Sequence, residues 1–157
     1  MTLMELGDAL GERICSRWPD RIIYRDVCPA DFERPSFFLQ MTRAEASDAN
    51  ALLQGWDAEW SLEIFDEKDD DYVSSSERLM ETQAAVLTLF GAGYVRCCGR
   101  AVSVLAVAEG REPESAFVTL RCNWFAGRPG AAVREAPPME HLDLRLREPG
   151  GPGADRK

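Results

Sequence analysis

The side chains of this sequence that carry the most chemistry are five cysteines, one histidine and a run of carboxylates. Cys15, Cys28, Cys97, Cys98 and Cys122 are odd in number and contain no C-x-x-C pair. The spacing that zinc or a redox dithiol requires is therefore missing. The adjacent Cys97 and Cys98 read as strand residues, one thiol on each face, and all five as free, reduced thiols. His141 lies in a tail, without the nucleophile and orienting group that a catalytic base needs within reach. No nucleophile elbow, phosphate loop, zinc-protease motif or dinucleotide fingerprint occurs. Gly91-Ala-Gly93 reads as a helix stop, because no helix opens after it. The run Asp66, Glu67, Asp69, Asp70, Asp71 lacks the mid-loop glycine and spacing of a calcium hand, so it reads as a solvated acidic loop. Glu59 and Glu63 fall on one face of a strand, as a polar sheet face rather than an acid/base couple. The expectation is a protein that is not an enzyme and that takes neither cofactor nor metal.

The bulk composition fits that expectation. A chain of 157 residues suits one domain. With 45% hydrophobic and 29% charged residues it has ordinary globular composition. Its net charge of −9 argues against drawing in a nucleic-acid backbone or an anionic membrane, both of which need a local excess of Lys and Arg. The N-terminus has early acids and no long apolar run, so it does not read as a signal peptide. No stretch approaches the ~18 apolar residues of a membrane span.

The elements that would position these side chains follow from periodicity. Leu3, Leu6, Leu10 and Ile14 recur at helical spacing over about residues 2–17, with Thr2 and Glu5 as a capping box and Pro19 beyond the end. Residues 21–26 read as a strand, and Phe37, Leu39 and Met41 mark one face of the next. Residues 44–55 fit a short helix or a loop equally. In Trp56–Phe65, Trp60, Leu62 and Ile64 alternate with Glu59, Ser61 and Glu63 as in a half-exposed strand. Ser74 and Glu77 have capping-box spacing for a second helix ending near Phe90, with Leu79, Gln83, Val86, Leu87 and Phe90 on one side. Strands follow around 94–98, 101–108 and 116–125, with Glu109-Gly110 and Glu112-Pro113-Glu114 in the last turn.

The order α-β-β-β-α-β-β-β predicts an α+β fold: a single, mostly antiparallel sheet with two amphipathic helices packed on it, over residues 1–126. Residues 127–157 form an extended Pro/Gly-rich C-terminal tail. Within it, residues 139–147 carry a stripe, Leu142, Leu144 and Leu146 alternating with charges. The stripe either folds back on its own domain or pairs with a neighbouring subunit's sheet edge. Trp18, Trp56, Trp60 and Trp124 read as core or core margin. Trp56 and Trp60 are also candidates for a subunit contact, together with Met139, Leu142, Leu144 and Leu146.

Several segments together resemble a known family. They are Ile22-Ile-Tyr24, Glu33-Arg-Pro35-Ser-Phe37-Phe38-Leu39, Trp60-Ser-Leu-Glu-Ile64-Phe65, Glu77-Arg78-Leu79 and Pro138-Met139-Glu140-His-Leu142. Over about residues 3–142 the chain resembles the tail-terminator, or tail-completion, proteins of contractile-tailed phages and prophages of Gram-positive hosts. The segment after Arg147 has no counterpart there, and the chain is richer in arginine and alanine than the lysine-rich members. The resemblance implies a homo-oligomeric ring, a hexamer, that caps the tail tube beside the sheath and docks the head-side connector. DNA would pass through without specific binding. The protein would be made in the host cytoplasm and reside at the head-proximal end of the virion tail. In such a ring, Glu59, Glu63, Asp66, Glu67, Asp69, Asp70 and Asp71 are the candidates for an acidic lumen or rim, where a negative field repels the DNA backbone. Two other readings fit the same sequence: a head–tail connector (neck) subunit, and a non-viral protein-binding adaptor.

Overall fold

The computed structural model describes residues 1–68 and 74–129. Helix α1 spans Leu3–Cys15 and starts where the capping box places it: the Thr2 hydroxyl accepts from the Glu5 amide (3.2 Å), and the Glu5 carboxylate accepts from the Thr2 amide (2.6 Å). Leu6, Leu10 and Ile14 are fully buried, so this face is the one the helix turns to the sheet. Each such side chain contributes roughly 1.5–3 kcal/mol by leaving water. Gly7 allows the close approach: a Cβ there would stand 2.8 Å from an Arg25 nitrogen and 3.4 Å from the Trp60 indole nitrogen.

Strand β1 (Ile22–Arg25) runs parallel to β2 (Ser36–Asp48), with Ile22 opposite Ser36 and Arg25 opposite Leu39. The sheet is mostly antiparallel as expected, and this pair is its parallel exception. The connecting segment explains why. Its Glu33 amide donates to the Tyr24 hydroxyl (3.0 Å), and Phe32 packs against Tyr24 and Phe65. The segment is thus pinned along the end of the sheet and returns the chain to the starting end of β1.

Strands β2 and β3 (Leu53–Phe65) form one long hairpin, so the ambiguous 44–55 stretch is neither helix nor loop but strand, turn and strand. Asn50 builds the turn: its side-chain oxygen accepts from the Leu52 and Leu53 amides, both at 2.9 Å.

Helix α2 (Ser76–Leu89) is capped by Ser75, whose hydroxyl accepts from the Arg78 amide (3.5 Å), one residue later than the Ser74–Glu77 spacing predicts. Ser74 is buried instead and joins a polar cluster described below. The helix ends at the Phe90 cap, and Gly93, with a left-handed φ of 77°, turns the chain into the next strand.

Strand β4 (Tyr94–Cys97) turns into β5 (Arg100–Arg111) through Cys98 and Gly99, with φ of 50° and 74°. Two consecutive positive φ values are those of the tight hairpin turn that matches strand twist. Cys98 is therefore a turn residue, not the second face of a strand; Cys97 points into the core and its sulfur lies 3.8 Å from that of Cys98. Glu109 and Gly110 belong to β5, at an irregularity in its pairing, and only Glu112–Glu114 turn the chain into β6 (Ser115–Gly127).

The six strands form one mixed sheet in the order β1-β2-β3-β6-β5-β4. All adjacent pairs but β1–β2 are antiparallel. The last of the described strands sits in the centre, paired with β3 over its whole length. Both helices cover one face, where Phe37, Trp60, Leu62, Val104, Val118 and Leu120 close the core with them.

Candidate interaction surface

The face without helices presents the alternate residues of every strand. On β3 these are Asp57, Glu59, Ser61 and Glu63; on β6 they are Phe117, Thr119, Arg121, Asn123 and Phe125. Register sets Glu59 opposite Arg121, and the two form an ion pair at 3.2 Å. On the other side Arg43 faces Glu59 across the β2–β3 ladder and pairs with Glu45. Arg43, Glu45, Asp57 and Glu59 border a shallow depression of about 240 Å³. Glu59 and Glu63 thus do stand on one face, at two-residue spacing from Asp57 and Ser61, with Arg43 and Arg121 tempering the charge.

The remaining described acids of the expected lumen are elsewhere. Asp66 is 3% exposed, with the Arg21 guanidinium at 3.9 Å. It is a buried structural group and not part of a solvated acidic loop. A carboxylate at the mouth of a strand is hidden only where a cation faces it, which composition alone does not reveal. Glu67 pairs with Arg78 on α2 (3.5 Å). Asp69, Asp70 and Asp71 lie outside the described residues.

Arg34, which no sequence motif singles out, organises this end of the sheet. It donates to the Asp66 carbonyl (3.3 Å), the Glu114 carbonyl (3.2 Å), the Ser74 hydroxyl (3.3 Å) and the Glu114 carboxylate (3.3 Å). Its guanidinium also lies over the Phe32 and Phe65 rings at 4.8 and 5.0 Å. A hydrogen bond from Lys68, with Lys68 and Arg34 charges behind it, holds the Glu114 carboxyl below its ordinary value. The cluster ties β2, β3, α2 and the β5–β6 turn together.

Trp60 is 3% exposed under α1, so it belongs to the core and is not a subunit contact. Trp56 is half-buried and stacks on Trp124, its partner in register, at 5.8 Å and 7° between planes. The pair borders an apolar cleft of about 230 Å³ with Met1, Leu3, Ala126 and Pro129. Met139, Leu142, Leu144 and Leu146 lie outside the described residues. The surface also exposes large apolar groups that pattern reading passed over: Leu105 and Phe125, each 59% exposed, on the helix-free face. Phe125 lies across Gly55, where a Cβ would come within 3.6 Å of its ring.

Burial raises the Cys122 thiol to about 12. Cys97 is raised to about 11, first by burial and then by its contact with Cys98. Among the described residues no group of three His, Cys, Asp or Glu side chains converges as a metal site. No helix there is long and apolar enough to cross a membrane. An open cleft of about 380 Å³ between α1 and β4 is lined by Glu12, Arg13, Tyr94 and Arg96. Comparison with the models of known families and with curated proteins finds no match for this chain.

Proposed function

We propose that the chain is a non-enzymatic structural subunit of a phage tail, a tail terminator that closes into a ring at the head-proximal end of the tail tube. The observation that carries this reading is the one-sided sheet. Both described helices cover one face, and the other face, with Asp57, Glu59 and Glu63 in a row, has no helix on it among the described residues. A ring of sheet-and-helix subunits needs such a division, one face for the subunit's own core and one for the lumen. Copies of a chain of charge −9 around a hole give a field that repels the DNA backbone and lets it slide. The segment resemblance over about residues 3–142 points the same way. The tube, the sheath and the head-side connector are the partners this role assigns.

The reading is tested by solution mass and by position. Light scattering over a range of concentrations is expected to reach a discrete particle of six chains of 17.5 kDa, with a central hole in electron micrographs. Gold-labelled protein added to assembled tails is expected at one end of the tube only. Label along the whole tube, or no binding to it, would sink the terminator assignment.

A further inference from the structure

The two borders of the sheet are each half covered, at opposite corners. Strand β1 pairs with β2 only over Ser36–Leu39, so from Met41 to Asp48 β2 has β3 on one side and, among the described residues, no strand on the other. Strand β4 pairs with β5 only over Arg100–Ser103, so from Leu105 to Arg111 the far border of β5 is likewise open. Register places these stretches diagonally. Ser36, Phe65 and Ser115 share the row at the β1 end, whereas Ser103 and Asn123 share the row at the β4 end. The open part of β2 is therefore at the β4 end of the sheet, and the open part of β5 at the β1 end.

We infer that these two open edges are complementary and join successive copies of this chain head to tail, β2 of one copy against β5 of the next. Three observations commit the site to a second copy. First, direction: β2 and β5 run opposite ways, since β2, β3, β6 and β5 alternate antiparallel. A neighbour in the same orientation therefore presents β5 antiparallel to β2. Second, shape: a neighbour shifted along the strands seats its uncovered β5 half beside the uncovered β2 half, with β1 and β4 filling the remaining corners. A tilted, staggered sheet of this kind can close on itself. Third, chemistry: Leu105-Ala-Val-Ala108 has no lysine or proline to guard a bare edge, and Leu105 is 59% exposed. The β2 stretch that meets it carries charges already neutralised within the chain, Arg43 by Glu45 and Asp48 by Arg128.

This contact rests on the ring reading but is tested apart from it. Two full-length variants each block one edge: Leu105→Lys/Val107→Lys on β5, and Ala44→Lys/Ala46→Lys on β2. Every contact needs one free edge of each kind, so each variant alone is expected to be monomeric at concentrations where the wild type assembles, with unchanged circular dichroism. Mixed one to one, the variants are expected to stop at a dimer of twice 17.5 kDa, since only one productive contact remains. A discrete wild-type ring that both variants still form would overturn the edge contact and leave the ring standing. An open-ended wild-type polymer that both variants cap would support the edge contact and overturn the ring. Dimers of either variant alone would mean like edges pair with like, and the inference falls. It falls equally if Leu144→Lys in the tail disperses the assembly while the edge variants do not, because the tail and not the edges then makes the contact. A wild type that is monomeric at every concentration overturns both readings.

Discussion

Arg34 is 16% exposed and serves two backbone carbonyls, a hydroxyl and a carboxylate while lying over two rings. Charge-assisted hydrogen bonds contribute about 1.5–3 kcal/mol each before the partners' own desolvation is counted. Truncating Arg34→Ala strands the Asp66 carbonyl and leaves the Ser74 hydroxyl and Glu114 carbonyl only their mutual 3.4 Å contact, and is expected to cost about 2–4 kcal/mol in a urea titration. Arg34→Lys is expected to recover only part of that, because an ammonium lacks the planar fork. Glu114 adds a pH dependence whose sign is fixed by its depressed folded-state value: its contribution is complete above the ordinary value of 4.5 and is lost as pH falls through the lower folded value. Glu114→Gln is expected to remove that part of the acid slope and leave stability near neutrality less dependent on pH below it. Among the thiols, Cys122 and Cys97 are buried and raised to about 12 and about 11, so iodoacetamide at pH 8 is expected to modify exposed Cys15 and Cys98 first.

At the scale of elements, α1 offers a clean test of helix physics. Gly11 is buried, yet a Cβ there meets nothing within 4 Å. Gly11→Ala is expected to raise stability by about 0.5–1 kcal/mol, the helix-propensity difference. Thr2→Ala removes the capping hydroxyl and is expected to cost about 1 kcal/mol. Both are read from thermal melts. The same helix was legible in the sequence because Leu6, Leu10 and Ile14 are spaced for one buried face. The strands Trp56–Phe65 and Ala116–Phe125 were legible for the corresponding reason, alternation against a single core. Arg43–Asp48 was not, because that part of β2 is exposed on both faces and carries no alternation to read. The parallel β1 was hidden in a tertiary fact, the packing of Phe32 on Tyr24 and Phe65. At the candidate surface, Glu59 and Glu63 were legible from spacing, whereas Arg121 opposite Glu59 and the exposed Phe125 were not, because strand register is set by the fold. Trp60 stands on the core face where its alternation with Leu62 and Ile64 put it, and only its candidacy as a subunit contact falls; Asp66 was misplaced because alternation does not state that a cation will wait inside.

Among the described residues the sheet divides the molecule into a side packed under both helices and a side without one. The bare side tolerates charge change: Glu59→Gln with Glu63→Gln is expected to shift the melting temperature by no more than about 2–3 °C, in keeping with surface substitutions of about ±0.5 kcal/mol. A larger loss would make these acids structural and remove the lumen from the account. If the chain forms the proposed ring, the same double change is expected to slow passage of DNA through it, read as fewer filled, infectious particles.

The central position of β6 has a consequence for biosynthesis. The β2–β3 hairpin and the β4–β5 hairpin touch no common strand except β6. A nascent chain therefore carries two unjoined half-sheets until residues 115–127 have left the ribosome, and the long-range pairing that unites them comes last. A message cut short before that point yields no miniature of the fold, only two half-sheets bridged by the helices without the central strand between them. Translation errors are in this way kept out of any assembly that demands both half-sheets in place.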